Sequence, residues 1–152
     1  MRLLTVVSVL VGVTTAVRPN SGLSPRNSLE VHSLLFPILP QPDESTCGPT
    51  ALHAVYQYFC DELPLQQVID EVETVNSGGT LGVLLGLHSL KRGYQATLYT
   101  CNLHVFDPTW FNPDAGPLID CLQAQMKVKD DPKLQTASQA YIEFIQLGGQ
   151  LR

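Results

Sequence analysis

The chain has 152 residues, of which 44% are hydrophobic and 15% charged, with a mean hydropathy of +0.07. That length suits one domain and is short for two, and the composition excludes a wholly disordered chain. Lys and Arg number 9 against 14 Asp and Glu, a net charge of -5 with no basic cluster, so the electrostatic footprint of a nucleic-acid binder is missing.

The longest apolar run, Leu3 to Val17, holds 15 residues and includes Thr, Ser and Gly. A membrane-spanning helix needs roughly 20, so no transmembrane helix is expected. Arg2, the apolar centre Leu3 to Val13 and the small residues Thr14-Thr15-Ala16 follow the pattern of a secretory signal peptide cleaved after Ala16. The alternative is a misassigned start, with the residues up to about 30 noncoding or unstructured; export follows from the first reading and a cytoplasmic protein from the second. Arg18 to Ser28, rich in Pro, Asn, Ser and Gly, reads as a linker. Residues 1–32 are therefore set apart as leader and linker, and 33–152 as the domain.

Within the domain, Leu34 to Pro40 is apolar and extended, because each proline pushes its predecessor out of helical geometry. A polar loop, Gln41 to Thr46, leads to Cys47-Gly48-Pro49-Thr50, after which Ala51, Leu52, Val55, Tyr58 and Phe59 recur at helical spacing. Pro49 suits a first turn, which places Cys47 at a helix start. Pro64 opens a second helix with Val68, Ile69, Val72 and Val75 on one face, ended by Asn76-Ser77-Gly78-Gly79. Thr80 is expected to cap a third, Leu81 to Lys91, with Gly93 in the left-handed position beyond its end. Tyr94 to Thr100 reads as a strand, and turns at Asp107 to Thr109 and Asn112 to Asp114 flank Trp110 and Phe111. A fourth helix carries Leu118, Ile119, Leu122 and Met126; a fifth, capped by Asp131-Pro132, carries Ala137, Tyr141, Phe144 and Ile145 and is closed by Gly148-Gly149. Only Gln150-Leu151-Arg152 follow, so a mostly helical half is expected with the covering strands barely begun.

Chemistry centres on Cys47. The positive end of a helix dipole stabilises an anionic sulfur, which Cys60 and Cys121 do not obtain from their sequence positions. Gln41, six residues upstream, carries a side-chain amide that with the Cys47 backbone N–H could stabilise an oxyanion. The four cysteines show no CxxC spacing; Cys101 with His104 is the nearest approach to a zinc pair and falls short of a ligand set. No cofactor motif is present, the glycine-rich stretch Asn76 to Thr80 having neither a Lys nor GxGxxG spacing.

The segment Gln41-Pro42-Asp43-Glu44-Ser45-Thr46-Cys47-Gly48-Pro49-Thr50-Ala51-Leu52 resembles the N-terminal box of the C39-like peptidases, a branch of the papain-like cysteine peptidases. The resemblance implies an α+β, papain-like fold present here as its helical N-terminal portion, with its C-terminal sheet truncated. It also implies a Cys47 nucleophile, a Gln41 oxyanion donor and a peptide or protein substrate. The family draws its base from a His on a later strand, in papain-like enzymes roughly 130 to 150 residues after the Cys, whereas no His follows His104 here. His53 lies along the same helix, His88 among core leucines and His104 beside Asp107, and none matches the family base. Weak or absent activity is the expectation, with a non-catalytic peptide-binding relic and a small exported disulfide protein as alternatives.

Overall fold

The computed structural model describes the backbone of residues 3–6, and residues 37–75, 79–112 and 114–152. The rest of the leader, the linker, Leu34 to Phe36, Asn76 to Gly78 and Pro113 lie outside the described residues. Among the described residues five helices dominate, with a small parallel sheet, consistent with a mixed α and β chain. The helices are α1 (Cys47–Tyr58), α2 (Leu65–Glu71), α3 (Gly82–Lys91), α4 (Leu118–Val128) and α5 (Pro132–Gln146), and a 3₁₀ turn spans Pro108–Phe111. Strand β2 (Gln95–Leu98) pairs in parallel with β3 (Gln150–Leu151), Thr97 opposite Gln150, and on its other side with the backbone of β1 (Leu3–Val6). Parallel neighbours need a long crossover, and the 3₁₀ turn, α4 and α5 form the one between β2 and β3.

The side chains account for most of these boundaries. Asp131 accepts from the backbone N–H of Lys133 and Leu134 and so starts α5. Gly93 at φ +82° and Gly148 at φ +88° take the left-handed positions beyond α3 and α5. Two expectations need correction. Helix α2 stops at Glu71, because Val72 is already extended and turns its side chain into the core. Thr80 does not cap α3: its N-cap residue is Leu81, with no side-chain cap.

Helix α1 packs Leu52, Val55 and Phe59 on the core as expected, but its buried face is turned further round than the apolar spacing implies. Pro49, Leu52, His53 and Tyr56 point inward, while Ala51 and Tyr58 are exposed. Two polar anchors set this rotation: His53 Nε2 meets the Leu63 carbonyl at 2.9 Å, and the Tyr56 hydroxyl meets His88 at 2.7 Å.

The core has two parts joined by α3. Leu52, Tyr56, Val68, Val72 and Tyr94 pack α1 against α2. Val83, Leu84 and Leu87 of α3 join Ala96, Leu98, Phe106, Leu122, Tyr141 and Phe144 in the larger part. Phe144 is wholly buried between two glycines. A Cβ on Gly86 would lie 2.7 Å from the ring, and one on Gly149 would overlap it as well. Gly149 therefore does more than end a helix: it lets the chain pass the ring on its way into β3. Gly149→Ala should lower stability by about 1–3 kcal/mol through overpacking. Urea unfolding checks this, and combining it with Phe144→Leu should recover part of the loss; additive losses would mean the ring is not the obstacle.

Candidate functional site

Cys47 is the first residue of α1 and its side chain is exposed. The loop before it is tied down locally. The Asp43 carboxylate accepts from the Ser45 N–H and the Ser45 hydroxyl, both at 2.7 Å, and these bonds hold its ionisation below the usual carboxylate range. Thr46, buried at the N-cap position, turns its hydroxyl back to the Asp43 carbonyl at 3.3 Å and does not cap the helix. Pro49 has no N–H to be capped, and the first turn carries no acid. The N–H groups of Cys47 and Gly48 thus have no side-chain acceptor, which leaves the positive helix end open beside the sulfur.

Gly48 fixes what lies next to that end. A Cβ there would sit 3.2 Å from Thr80 Cβ and 3.5 Å from both Leu85 methyls, so the start of α1 rests on the approach to α3. Gln41 is exposed and makes no hydrogen bond to Cys47 or to any other described residue. The two expected site residues are therefore both exposed, one on the loop and one at the helix start, with no hydrogen bond between them.

The imidazoles are engaged elsewhere. His53 is buried, its Nε2 donating to the Leu63 carbonyl and its Nδ1 enclosed without a partner. His88 bridges three helices: Nε2 lies 3.0 Å from the Glu71 carboxylate and Nδ1 2.7 Å from the Tyr56 hydroxyl. In the neutral ring the carboxylate can only accept, so Nε2 carries the proton and Nδ1 accepts from Tyr56. Burial pushes the Tyr56 phenol up to about 12. Hydrogen bonds from Gln67 and then His88 hold Glu71 below its ordinary value of 4.5. His104 is exposed on the loop after β2, lining a cavity of about 690 Å³ with Leu81, Asn102, Lys129, Asp131 and Lys133. No imidazole hydrogen-bonds Cys47 among the described residues.

The four cysteines are free thiols; Cys47, Cys60 and Cys101 are exposed, and Cys121, half-buried, donates to the Ala115 carbonyl. Among the described residues no group of three or more His, Cys, Asp or Glu side chains could hold a metal ion. Trp110 is half-buried and packs on the larger core. Sequence reasoning missed Tyr56, although Pro49, Leu52, His53 and Tyr56 carry helical spacing. It cast Thr80 as a cap, whereas its hydroxyl is enclosed and unpartnered. No family model, curated protein or solved structure matches the chain.

Cys47 and Cys60 are both exposed at opposite ends of one helix, Cys60 just past its C-terminus at φ +56°. Iodoacetamide should label Cys47 about 3- to 30-fold faster, taking about 0.3–1 kcal/mol of helix-dipole effect at each end; equal rates by peptide mapping would contradict the open helix end. Tyr56→Phe should cost about 1–3 kcal/mol by stranding His88 Nδ1. The depressed Glu71 ionisation contributes stability that is present above its ordinary value of 4.5 and lost as pH falls through the lower folded value. Acid titration of the fold should accordingly show a loss at low pH that Glu71→Gln removes.

Proposed function

We propose that this chain is a C39-like cysteine peptidase domain of papain-like fold, cleaving amide bonds in a peptide or protein substrate through a Cys47 thioester. The observation that carries the proposal is the exposed Cys47 thiol on an uncapped helix start. The sulfur attacks the substrate carbonyl carbon, and the developing oxyanion is met by the Cys47 backbone N–H. The amine then leaves with a proton, and water cleaves the thioester to release the acid and restore the thiol. Gln41 enters as the second oxyanion donor by resemblance to the family box, its unengaged amide being free to turn toward a bound substrate.

Turnover is expected to be low. With no imidazole bonded to Cys47 among the described residues, proton transfer goes unassisted, a deficit of about 10²- to 10⁴-fold. That same observation favours one second reading, a peptide-binding relic that grips substrates without turnover.

An activated peptide ester, whose leaving group needs no protonation, separates the two. The peptidase reading predicts measurable ester hydrolysis, with the matching peptide amide at least about 10²-fold slower. Cys47→Ala should abolish both. Hydrolysis unchanged in Cys47→Ala would remove the peptidase reading, and peptide binding without any turnover would establish the relic.

A further inference from the structure

Side chains of the segment after β2 and of α4 line a cavity of about 660 Å³ that the proposed chemistry at Cys47 does not use. Its apolar wall is Leu103, Phe106, Pro108, Trp110, Ala124 and Val128. That volume falls in the range of roughly 300–1,000 Å³ found for small-molecule sites. Leu103 is 73% exposed and Val128 84%, so two aliphatic side chains of the wall stand in water. Leu103, Phe106 and Pro108 also line a smaller cavity of about 230 Å³ that includes Phe111. The shared residues make one elongated apolar tract, and contiguous apolar surface on a folded chain marks a binding site.

The polar residues of the larger cavity state what chemistry it takes. Gln125 donates to the Val105 carbonyl at 2.9 Å and accepts from Lys129 Nζ at 3.1 Å. The Asp107 carboxylate accepts from the Thr109 N–H at 2.8 Å and its hydroxyl at 2.7 Å, and Cys121 donates to the Ala115 carbonyl. The bonds from Thr109, and then the charge of Lys129, hold Asp107 below the usual carboxylate range, so the wall carries one acid and one base that offset each other. The Trp110 indole N–H has no partner among the described residues and suits an uncharged oxygen. We infer that this cavity binds a medium-chain alkyl compound that carries no charge. A carboxylate there would gain the Lys129 ammonium but meet the Asp107 carboxylate, and an ammonium would meet the reverse. A chain fits the elongated tract better than a single ring. The inference stands independently of the peptidase reading.

Trp110 is the sole tryptophan, so intrinsic fluorescence reports on this wall alone. The probes are the n-alkanols from hexanol to decanol and an alkanol brominated at its far end. The brominated alkanol should quench Trp110 saturably, and each added methylene should tighten binding about two- to fourfold. Octanoate should bind at least about threefold more weakly than octanol, since its charge is desolvated without net compensation. Val128→Asp and Leu103→Asn should each weaken octanol at least about fivefold while the Tm stays near that of the parent, both side chains being mostly exposed. Absence of saturable quenching, octanoate binding more tightly than octanol, or affinity indifferent to both substitutions would overturn the inference. A dimer that Val128→Asp disperses, with no alkanol binding at any concentration, would also overturn it and give the surface to a second copy of the chain.

Discussion

The close approach of α1 to the start of α3 at Gly48 is the constraint on which the site depends. A Cβ at Gly48 would crowd Thr80 Cβ at 3.2 Å and meet the Leu85 methyls at an ordinary 3.5 Å, so the helix carrying Cys47 packs closely on Thr80 and Leu85. Helix α3 can serve as that support because it is itself held on two sides. Leu85 packs with the α1–α2 core, while Val83, Leu84 and Leu87 face the larger one. The Phe144 ring, lodged against Gly86, locks α3 to α5, and Gly149 lets the chain go from that ring into β3. A displacement anywhere along this series reaches the sulfur through rigid packing, since close-packed interiors transmit strain.

The same three helices also decide what their histidines do. An imidazole that served a thiol would have to be within hydrogen-bond reach of it. Here His88 is spent joining Glu71 to Tyr56, and His53 is spent on the Leu63 carbonyl. Around them a second polar group closes the far end of α1: Arg92 pairs with Asp61 at 2.8 Å and lies over the Tyr56 ring, and Tyr94 donates to Asp61. These bonds tie the far end of α1 to the segment after α3, although Arg92 Nε stays buried without a partner.

Much of this was legible in residue order. Pro49 after Cys47 placed the thiol at a helix start, Asp131-Pro132 marked the entry to α5, and Gly93 marked the exit from α3, because these residues act through local backbone geometry. The rotation of α1 was not legible, since it is set by His88 and Leu63, distant in sequence, rather than by apolar spacing. The same limit explains Thr80. A threonine ahead of a helix reads as a cap by local rules, but contact with Gly48 across the fold gives it another setting. Gly149 likewise read as punctuation until the Phe144 ring was found against it.

The assignment of Cys47 as nucleophile is tested most directly by trapping the acyl group itself. The protein is mixed with a peptide thioester, quenched in acid, digested and mapped by mass spectrometry. The acyl mass is predicted on Cys47, and is predicted to vanish in Cys47→Ala without moving to Cys60 or Cys101, which are also exposed. Acyl groups spread evenly over the three exposed thiols would contradict it.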